Sequence, residues 1–328
     1  MSSFDENTSL EGTTVSNADP KDGWVFVYPG QGSQFIGMGK DFYDNSETCK
    51  KLIDQAEAIS NKKITKLCFG GPISKLSNTD NLQVATTAVN LATTHYLLEN
   101  TDIKPAVVLG HSVGEYSALY AAGVLSYEDV IKATSERGTL MQREAKAHKG
   151  GMLAVKDTAR SDLENLLTEN FEANEVVVAN DNSAKQQVVS ASKENVTKLS
   201  SVLSEAGIEY VKLPVSGAWH SPLMAGCVEE FAQLLSEIEF KQPTIPVIGN
   251  LQATVVTDPA TMKESLVSHV VEMVRWRESI EYLLDQGYRN FIEVGPKKVL
   301  SRLIDSINDG QYELNLKNVE TIADVEAL

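Results

Sequence analysis

The 328-residue sequence has few cysteines, few basic residues and no long apolar run. Its three cysteines, Cys49, Cys68 and Cys227, are far apart and form no C-x-x-C pair, which argues against a disulfide framework or a zinc site. No stretch approaches the roughly 18 consecutive apolar residues of a membrane span, so we expect no membrane partner. The net charge of −16 argues against broad contact with nucleic acid. We therefore expect a protein of a reducing, cytoplasmic compartment.

The first 23 residues contain neither the apolar core of a secretory signal nor the basic character of a transit peptide, and we expect a flexible arm over residues 1–23. The sequence as a whole is 42% apolar and 23% charged. That composition is enough to build a large hydrophobic core.

Apolar strands alternate with helical patterns over most of the sequence. The strands are of the fully buried type: WVFVYPGQGSQ (24–34), KPAVVLG (104–110), TIPVIGN (244–250) and RNFIEVG (289–295). Such alternation predicts a parallel sheet covered on both faces, with ligands bound at the carboxyl ends of the strands. The predicted class is α/β, with a large domain formed by residues 24–148 and 216–308.

Residues 149–215 have a different pattern. Strands and helices follow one another in the order β-α-β-β-α-β, which is the ferredoxin-like arrangement. We predict a small ferredoxin-like α+β domain inserted into the large one. Residues 309–328 are polar, and we expect them to form a peripheral tail.

The sequence GHSVG (110–114) follows an apolar strand and precedes a helical stretch. In this context G-x-S-x-G predicts a nucleophilic serine, Ser112, on a sharp turn of a hydrolase-like domain. The N–H of Val113 would then face a developing oxyanion. The alternative is an ordinary serine that caps the helix.

A nucleophilic serine needs a base, and His220 is the best candidate among five histidines because it lies in a Ser/Gly loop, PVSGAWHSPLM (214–224). His95 and His148 are predicted to be at the surface or satisfied by local partners. His111 adjoins the serine and should point away from it, and His269 lies in a helix-like stretch. No isolated Asp or Glu near a strand end is a candidate for the acid of a triad. We therefore predict a dyad whose histidine is oriented by a backbone carbonyl.

Arg137 shares a helix face with three apolar residues, Val130, Ala133 and Met141. A guanidinium on an apolar stripe needs a partner, because an unpaired buried charge is costly. One interpretation is a snorkelling arginine paired with an internal acid. The other is a fork that binds the carboxylate of a substrate, which would make the acyl group the half of a dicarboxylic acid.

Taken together, these motifs resemble the malonyl-CoA:acyl carrier protein transacylase family and the acyltransferase domains of polyketide synthases. The resemblance covers about residues 24–305 and rests on six segments: YPGQGSQFIGMG (28–39), GHSVGEYSALYAAG (110–123), SERGTLMQREA (135–145), NDNSAKQQVVSAS (180–192), PVSGAWHSPLM (214–224) and EVGPKKVL (293–300). A phosphate-binding role for PGQGSQ is disfavoured, because the G-K-[ST] ending of a P-loop is missing.

The resemblance implies a ping-pong transfer of malonyl from malonyl-CoA to the phosphopantetheine thiol of an acyl carrier protein, for fatty acid or polyketide synthesis. It implies that Ser112 is acylated, that His220 is its base, that the N–H groups of Gln31 and Val113 form the oxyanion hole, and that Arg137 binds the malonyl carboxylate. No metal or other cofactor is implied, and we expect a monomer. The alternative is an acyl hydrolase that acts on carrier proteins with the same scaffold.

Several positions depart from the family pattern or extend the list of substrate contacts. Trp219 stands where phenylalanine is common, and a larger ring should disfavour an α-methyl branch on the acyl group. His269 stands where glutamine is common, and its main-chain carbonyl is implied to orient His220. Gln83 and His111 are further candidates for substrate contact. A local basic patch that includes Lys297 and Lys298 is expected to dock the carrier protein.

Overall fold

The computed structural model describes residues 22–328, so the arm expected over residues 1–23 lies almost wholly outside the described residues. Within the described part the strands are β1 Trp24–Tyr28, β2 Pro105–Gly110, β3 Gly150–Lys156, β4 Val176–Ser183, β5 Gln186–Ser192, β6 Tyr210–Lys212, β7 Val247–Ile248, β8 Val255–Val256, β9 Asn290–Val294 and β10 Asn315–Val319. They form one six-stranded and one four-stranded sheet.

The helices of the described part surround both sheets. They are α1 Lys40–Asn45, α2 Glu47–Ser60, α3 Ile73–Leu76, α4 Thr79–Asn100, α5 Gly114–Ala121, α6 Tyr127–Ala147, α7 Arg160–Asn170, α8 Lys193–Glu205, α9 Val228–Ser236, α10 Pro259–Ser268, α11 Trp276–Asp285, α12 Val299–Asn308 and α13 Ile322–Glu326. A π-helix at Lys66–Gly70 and a 3₁₀ helix at Pro222–Cys227 complete the set. None of the helices in residues 22–328 is both long and apolar enough to span a bilayer.

The large sheet has the strand order β10-β9-β1-β2-β7-β8, and every pair is parallel except β7–β8. Successive side chains of β1 enter different cores. Phe26 and Tyr28 belong to the cluster that contains α4, α5 and α6, whereas Val25 and Val27 belong to the cluster that contains α11 and α12. Both faces of the central strand are therefore buried, which explains its unbroken apolar sequence. The predicted α/β class is confirmed.

The small sheet has the order β4-β5-β3-β6 and is antiparallel throughout. With α7 and α8 it shows the β-α-β-β-α-β arrangement that the sequence predicts for the inserted unit. The small sheet is hydrogen-bonded to the segment before α11, because Asp181 N–H donates to Val274 O and Val274 N–H donates to Ala179 O. The next residue of that segment, Arg275, donates its N–H to Asn250 O, so the segment links β4 to the loop that follows β7.

The expectation of a peripheral polar tail over residues 309–328 is wrong for part of that segment. Residues 315–319 form β10, which pairs with β9 along its whole length, and α13 follows it. Leu316, Lys317 and Asn318 are only half buried. An edge strand needs apolar residues on fewer positions than a central one, so its sequence carries a weak signal. The aspartate Asp41 caps this segment by accepting from Ile322 N–H at 2.8 Å.

Candidate active site

Ser112 lies on a sharp turn between β2 and α5. Its φ is +53°, in the left-handed region that is uncommon for a residue with a side chain. A Cβ on Gly110 would lie 2.0 Å from the Gly114 carbonyl carbon, and a Cβ on Gly114 would lie 2.0 Å from Tyr28 O. Both flanking positions therefore require glycine, and the strained turn exposes the serine hydroxyl at the carboxyl end of β2.

Asn250, at the end of the segment that contains β7, holds this turn in place. Its side-chain oxygen accepts from Ser112 N–H at 3.0 Å, and its side-chain amide donates to Gly110 O at 2.7 Å. The sequence reasoning missed this residue. Its only signal was an asparagine at the carboxyl end of the strand TIPVIGN.

The structure brings Ser112 and His220 together. Ser112 Oγ lies 2.8 Å from His220 Nε2, and His220 Nδ1 lies 2.7 Å from His269 O and 3.1 Å from Glu272 O. Carbonyl oxygens only accept, so Nδ1 carries the proton and Nε2 is free to accept from the serine hydroxyl. The backbone carbonyl thus takes the place that an acid occupies in a triad, and Glu272 O is a second acceptor that sequence reasoning missed.

The environment of His220 favours its neutral form. Burial lowers the pKa of His220 well below its usual 6.5, and the nearby charges of His269 and Arg137 lower it further. The hydrogen bond to His269 O opposes this shift. A base must be unprotonated to accept the serine proton, so this environment suits the role at neutral pH.

Arg137 lies on α6 with its guanidinium buried, at 1% exposure. Nη1 donates to Gln83 Oε1 at 2.8 Å and Nη2 lies 3.5 Å from Ser112 Oγ. The guanidinium carbon lies over the Tyr116 ring, 5.8 Å from its centroid. Among residues 22–328 no carboxylate lies within ion-pair distance of it, although the charge of the buried Glu115, which is paired with His269, acts on it.

A cavity of about 90 Å³ opens at Ser112, and every predicted site residue except Arg137 and His269 lines it. Gln31, in the loop after β1, and Val113, directly before α5, both line this cavity. Across the described range neither of their backbone N–H groups is engaged in a hydrogen bond, whereas the N–H of Ser112 is bound to Asn250. Two free donors beside a hydroxyl are what an oxyanion hole requires.

The small sheet closes the other side of the cavity, with Met152, Asn180, Leu213 and Val215 in the lining. Sequence reasoning did not identify these four, because they come from three separate segments of the inserted unit. Trp219 is buried in the wall, and its carbonyl accepts from Ser190 Oγ of β5 at 2.6 Å. The inserted unit therefore shapes the acyl pocket.

The remaining predicted residues lie as follows. His111 directs Nε2 to Asn182 Oδ1 at 2.8 Å, so its ring points to β4 and away from the serine. His95 is buried and bonded to the hydroxyl of Tyr120, and His148 is exposed. No group of three or more His, Cys, Asp or Glu within residues 22–328 is arranged to hold a metal ion.

Comparisons with known proteins identify the family of the chain. The acyl transferase domain family matches residues 25–322. The chain belongs to the acyl transferase family. Its relatives include the malonyl CoA-acyl carrier protein transacylase of Bacillus subtilis strain 168, at 37% identity over 91% of this chain and 94% of that protein. The family resemblance predicted from the sequence is confirmed.

The chain is also similar to a transacylase of polyketide biosynthesis and to solved transacylase structures. The polyketide biosynthesis malonyl CoA-acyl carrier protein transacylase PksC of Bacillus subtilis is 37% identical over 86% of this chain and 96% of its own length. The crystal structure of the transacylase from Xanthomonas oryzae has a TM-score of 0.88 at 32% identity, covering 94% of this chain and 97% of that one. A complex of a type II polyketide synthase acyl-carrier protein with its malonyl-transacylase gives a TM-score of 0.88 at 29% identity over 93% of this chain and 98% of that one.

Proposed function

We propose that this chain transfers a malonyl group from malonyl-CoA to the phosphopantetheine thiol of an acyl carrier protein. One observation carries the proposal. Arg137 is buried, has no acidic partner among residues 22–328, and lies 3.5 Å from Ser112 Oγ. A ligand that brings an anion would pair this charge directly, and a planar carboxylate fits the guanidinium fork. The acyl group on Ser112 therefore carries a free carboxylate.

The first half-reaction acylates the serine. His220 Nε2 takes the proton of Ser112 as Oγ attacks the thioester carbonyl, and the N–H groups of Gln31 and Val113 receive the oxyanion. The C–S bond then breaks, and the leaving CoA thiolate takes the proton from His220. Removal of one oxyanion donor costs about 3–4 kcal/mol in comparable sites. The product is a malonyl-serine ester whose carboxylate pairs with Arg137.

The second half-reaction reverses these roles with a different thiol. The pantetheine thiol gives its proton to His220 as sulfur attacks the ester carbonyl, and the same two N–H groups receive the oxyanion. The C–O bond to serine breaks, and Ser112 Oγ recovers the proton from His220. No metal or redox group takes part in this scheme. We assign substrate contact to His111, Gln83 and Trp219, because all three line the cavity.

The alternative of an acyl hydrolase has no observation in its favour. A general hydrolase gains nothing from a buried guanidinium that requires a carboxylate, and the relatives are named as transacylases. Whether water or the carrier thiol attacks the malonyl-serine decides between the two, so the two rates are measured on the same acylated enzyme.

A carrier protein has to reach the cavity mouth with its pantetheine arm. Lys297 is exposed, and its ammonium lies 3.5 Å from Gly32 O, next to the oxyanion residue Gln31. Lys298 is exposed beside it. We assign carrier docking to this side of the mouth, because it carries two exposed cations on a chain of net charge −16.

We also propose a monomeric state and a cytoplasmic location. The location is proposed because the three cysteines are free and buried.

Mass spectrometry tests the proposal. The purified chain is incubated with malonyl-CoA and weighed, and then with a phosphopantetheinylated carrier protein. We expect one malonyl adduct that Ser112→Ala abolishes and that the carrier removes as malonyl-carrier. The control is Ser236→Ala, at an exposed serine at the end of α9, which should acylate as the parent does. No adduct on the parent chain, or an undiminished adduct on Ser112→Ala, contradicts the mechanism.

A further inference from the structure

Two buried titratable groups behind the dyad have no part in the mechanism above. Glu115, three residues after the nucleophile on α5, is 5% exposed, and His269, just after α10, is 1% exposed. Glu115 Oε2 lies 3.4 Å from His269 Nδ1, and Glu115 Oε1 accepts from Asn250 N–H at 3.3 Å. An acid placed against an imidazole in a dry environment is costly unless the two share a proton.

His269 contacts the base in two ways. Its carbonyl accepts from His220 Nδ1 at 2.7 Å, and its ring lies with its centroid 4.7 Å from that of His220, the planes tilted by 38°. The carbonyl and the ring belong to one residue, so the contact of the ring with Glu115 also restrains the carbonyl. A continuous series of contacts therefore runs from Glu115 through His269 and His220 to Ser112.

We propose that Glu115 and His269 form an acid–imidazole pair that positions His220 and, once the pair has lost its proton, stabilises the imidazolium that forms on His220. Glu115 is then the carboxylate that the Ser112–His220 dyad was expected to lack, acting through one intervening ring. Both are positioning residues, since neither touches the substrate. This inference rests on the proposed acylation of Ser112.

The charge state of the pair follows from its surroundings. Burial raises the pKa of Glu115 to about 8, while the Asn250 N–H and the charge of Arg137 lower it. Burial lowers the pKa of His269 well below 6.5, and the charges of Arg137 and His111 lower it further. With His220 and Tyr116, these are the titratable groups that face the pair.

The consequence for catalysis has a definite sign. At neutral pH Glu115 is a carboxylic acid and donates to His269 Nδ1, so the pair carries no charge. Above pH 8 the acid releases that proton to solvent, and the carboxylate accepts from the Nδ1–H tautomer. The pair then carries one negative charge beside His220, and the imidazolium that forms as Ser112 attacks is stabilised by it.

The test is the pH dependence of single-turnover acylation by malonyl-CoA, followed by mass spectrometry. The parent chain should show two rises in rate: one below pH 6.5 as His220 loses its proton, and a second near pH 8. His269→Gln keeps the orienting carbonyl and removes the ring. We expect this variant to keep the first rise and to lose the second, with a rate at pH 9 about tenfold lower, because one charge acts across a single ring.

Two further variants separate positioning from folding. Glu115→Gln should give the same single rise as His269→Gln. His95→Gln removes another buried histidine, one bonded to Tyr120, and should keep both rises. Two rises in His269→Gln, or a single rise in the parent chain, overturn the inference. Neither result contradicts the proposed function, which fails only if the parent chain is not acylated at all. If Glu115→Gln does not fold, the pH profile of His269→Gln alone tests the inference.

Discussion

Replacement of Arg137 by methionine tests the carboxylate clamp most directly. In the free protein the guanidinium is buried and donates to Gln83 Oε1 at 2.8 Å and to Ser112 Oγ at 3.5 Å, and no carboxylate in residues 22–328 lies within ion-pair distance of it. In the malonyl-bound state we expect it to pair with the substrate carboxylate. Loss of one partner of a buried charge pair costs about 2–5 kcal/mol, so kcat/KM for malonyl-CoA should fall by roughly two to three orders of magnitude.

The same change should leave acyl groups without a carboxylate unaffected. Acetyl-CoA presents a methyl group to the position that Arg137 occupies, and methionine suits that group better than a cation does. The ratio of malonyl to acetyl kcat/KM should therefore fall by roughly a hundredfold or more. Because the variant also removes a buried charge, the Tm of the free protein should be unchanged or higher, although Gln83 Oε1 loses its donor.

The assay is carrier acylation from the two thioesters, with thermal unfolding measured in parallel. Arg143→Met is the matched control, because Arg143 lies on the same helix with a side chain 45% exposed and paired with Glu144 and Glu230. It should transfer malonyl at the parent rate. The clamp reasoning is refuted if Arg137→Met loses acetyl and malonyl transfer equally, or if its Tm falls by many degrees.

Three further predictions follow from the same site. Gly114→Ala places a Cβ 2.0 Å from Tyr28 O and should lower the free energy of unfolding, measured in urea, by about 3 kcal/mol or more. Gly70→Ala, whose Cβ would have no atom within 4 Å, should lower it far less. His220 works as a neutral base with a lowered pKa, so half-maximal acylation on the acid side should lie below pH 6.5, and a midpoint above that value contradicts its burial. Trp219→Ala should raise the ratio of kcat/KM for methylmalonyl-CoA to kcat/KM for malonyl-CoA about tenfold, and an unchanged ratio excludes the ring as the selective element.

The turn at Ser112 and the unusual position of Arg137 could be predicted from the sequence because their signals are local. A serine between two glycines, after an apolar strand and before a helix, fixes the turn at Ser112 through nearest neighbours alone. Arg137 was conspicuous because a cation interrupts an apolar helix face. His220 was harder to predict, since it lies 108 residues from Ser112 in the sequence, with the inserted unit between them.

Other parts of the site depend on contacts between distant segments, and the sequence does not encode them locally. Asn250 reaches Ser112 across 138 positions and joins two strands that are neighbours only in the sheet. Glu115 lies within the motif GHSVGEYSALYAAG, and the motif alone does not mark it as a buried acid. Its signal was a carboxylate inside the apolar helix GEYSALYA, whose residues are all buried. The edge strand β10 was missed because its side chains are half exposed.

Both residues of the proposed dyad are held on strained backbone, and this constrains how the site would work. Ser112 has φ +53° and His220 has φ +55°, and left-handed conformations cost about 1–3 kcal/mol each for residues with side chains. The cost is offset by specific bonds: Asn250 to the backbone of Ser112, and two carbonyls to His220 Nδ1. If these bonds were lost, each residue would relax to an ordinary conformation and the 2.8 Å contact between Oγ and Nε2 would open. The hydrogen bonds to the backbone of Ser112 and to the ring of His220 therefore hold the geometry of the proposed dyad against this strain.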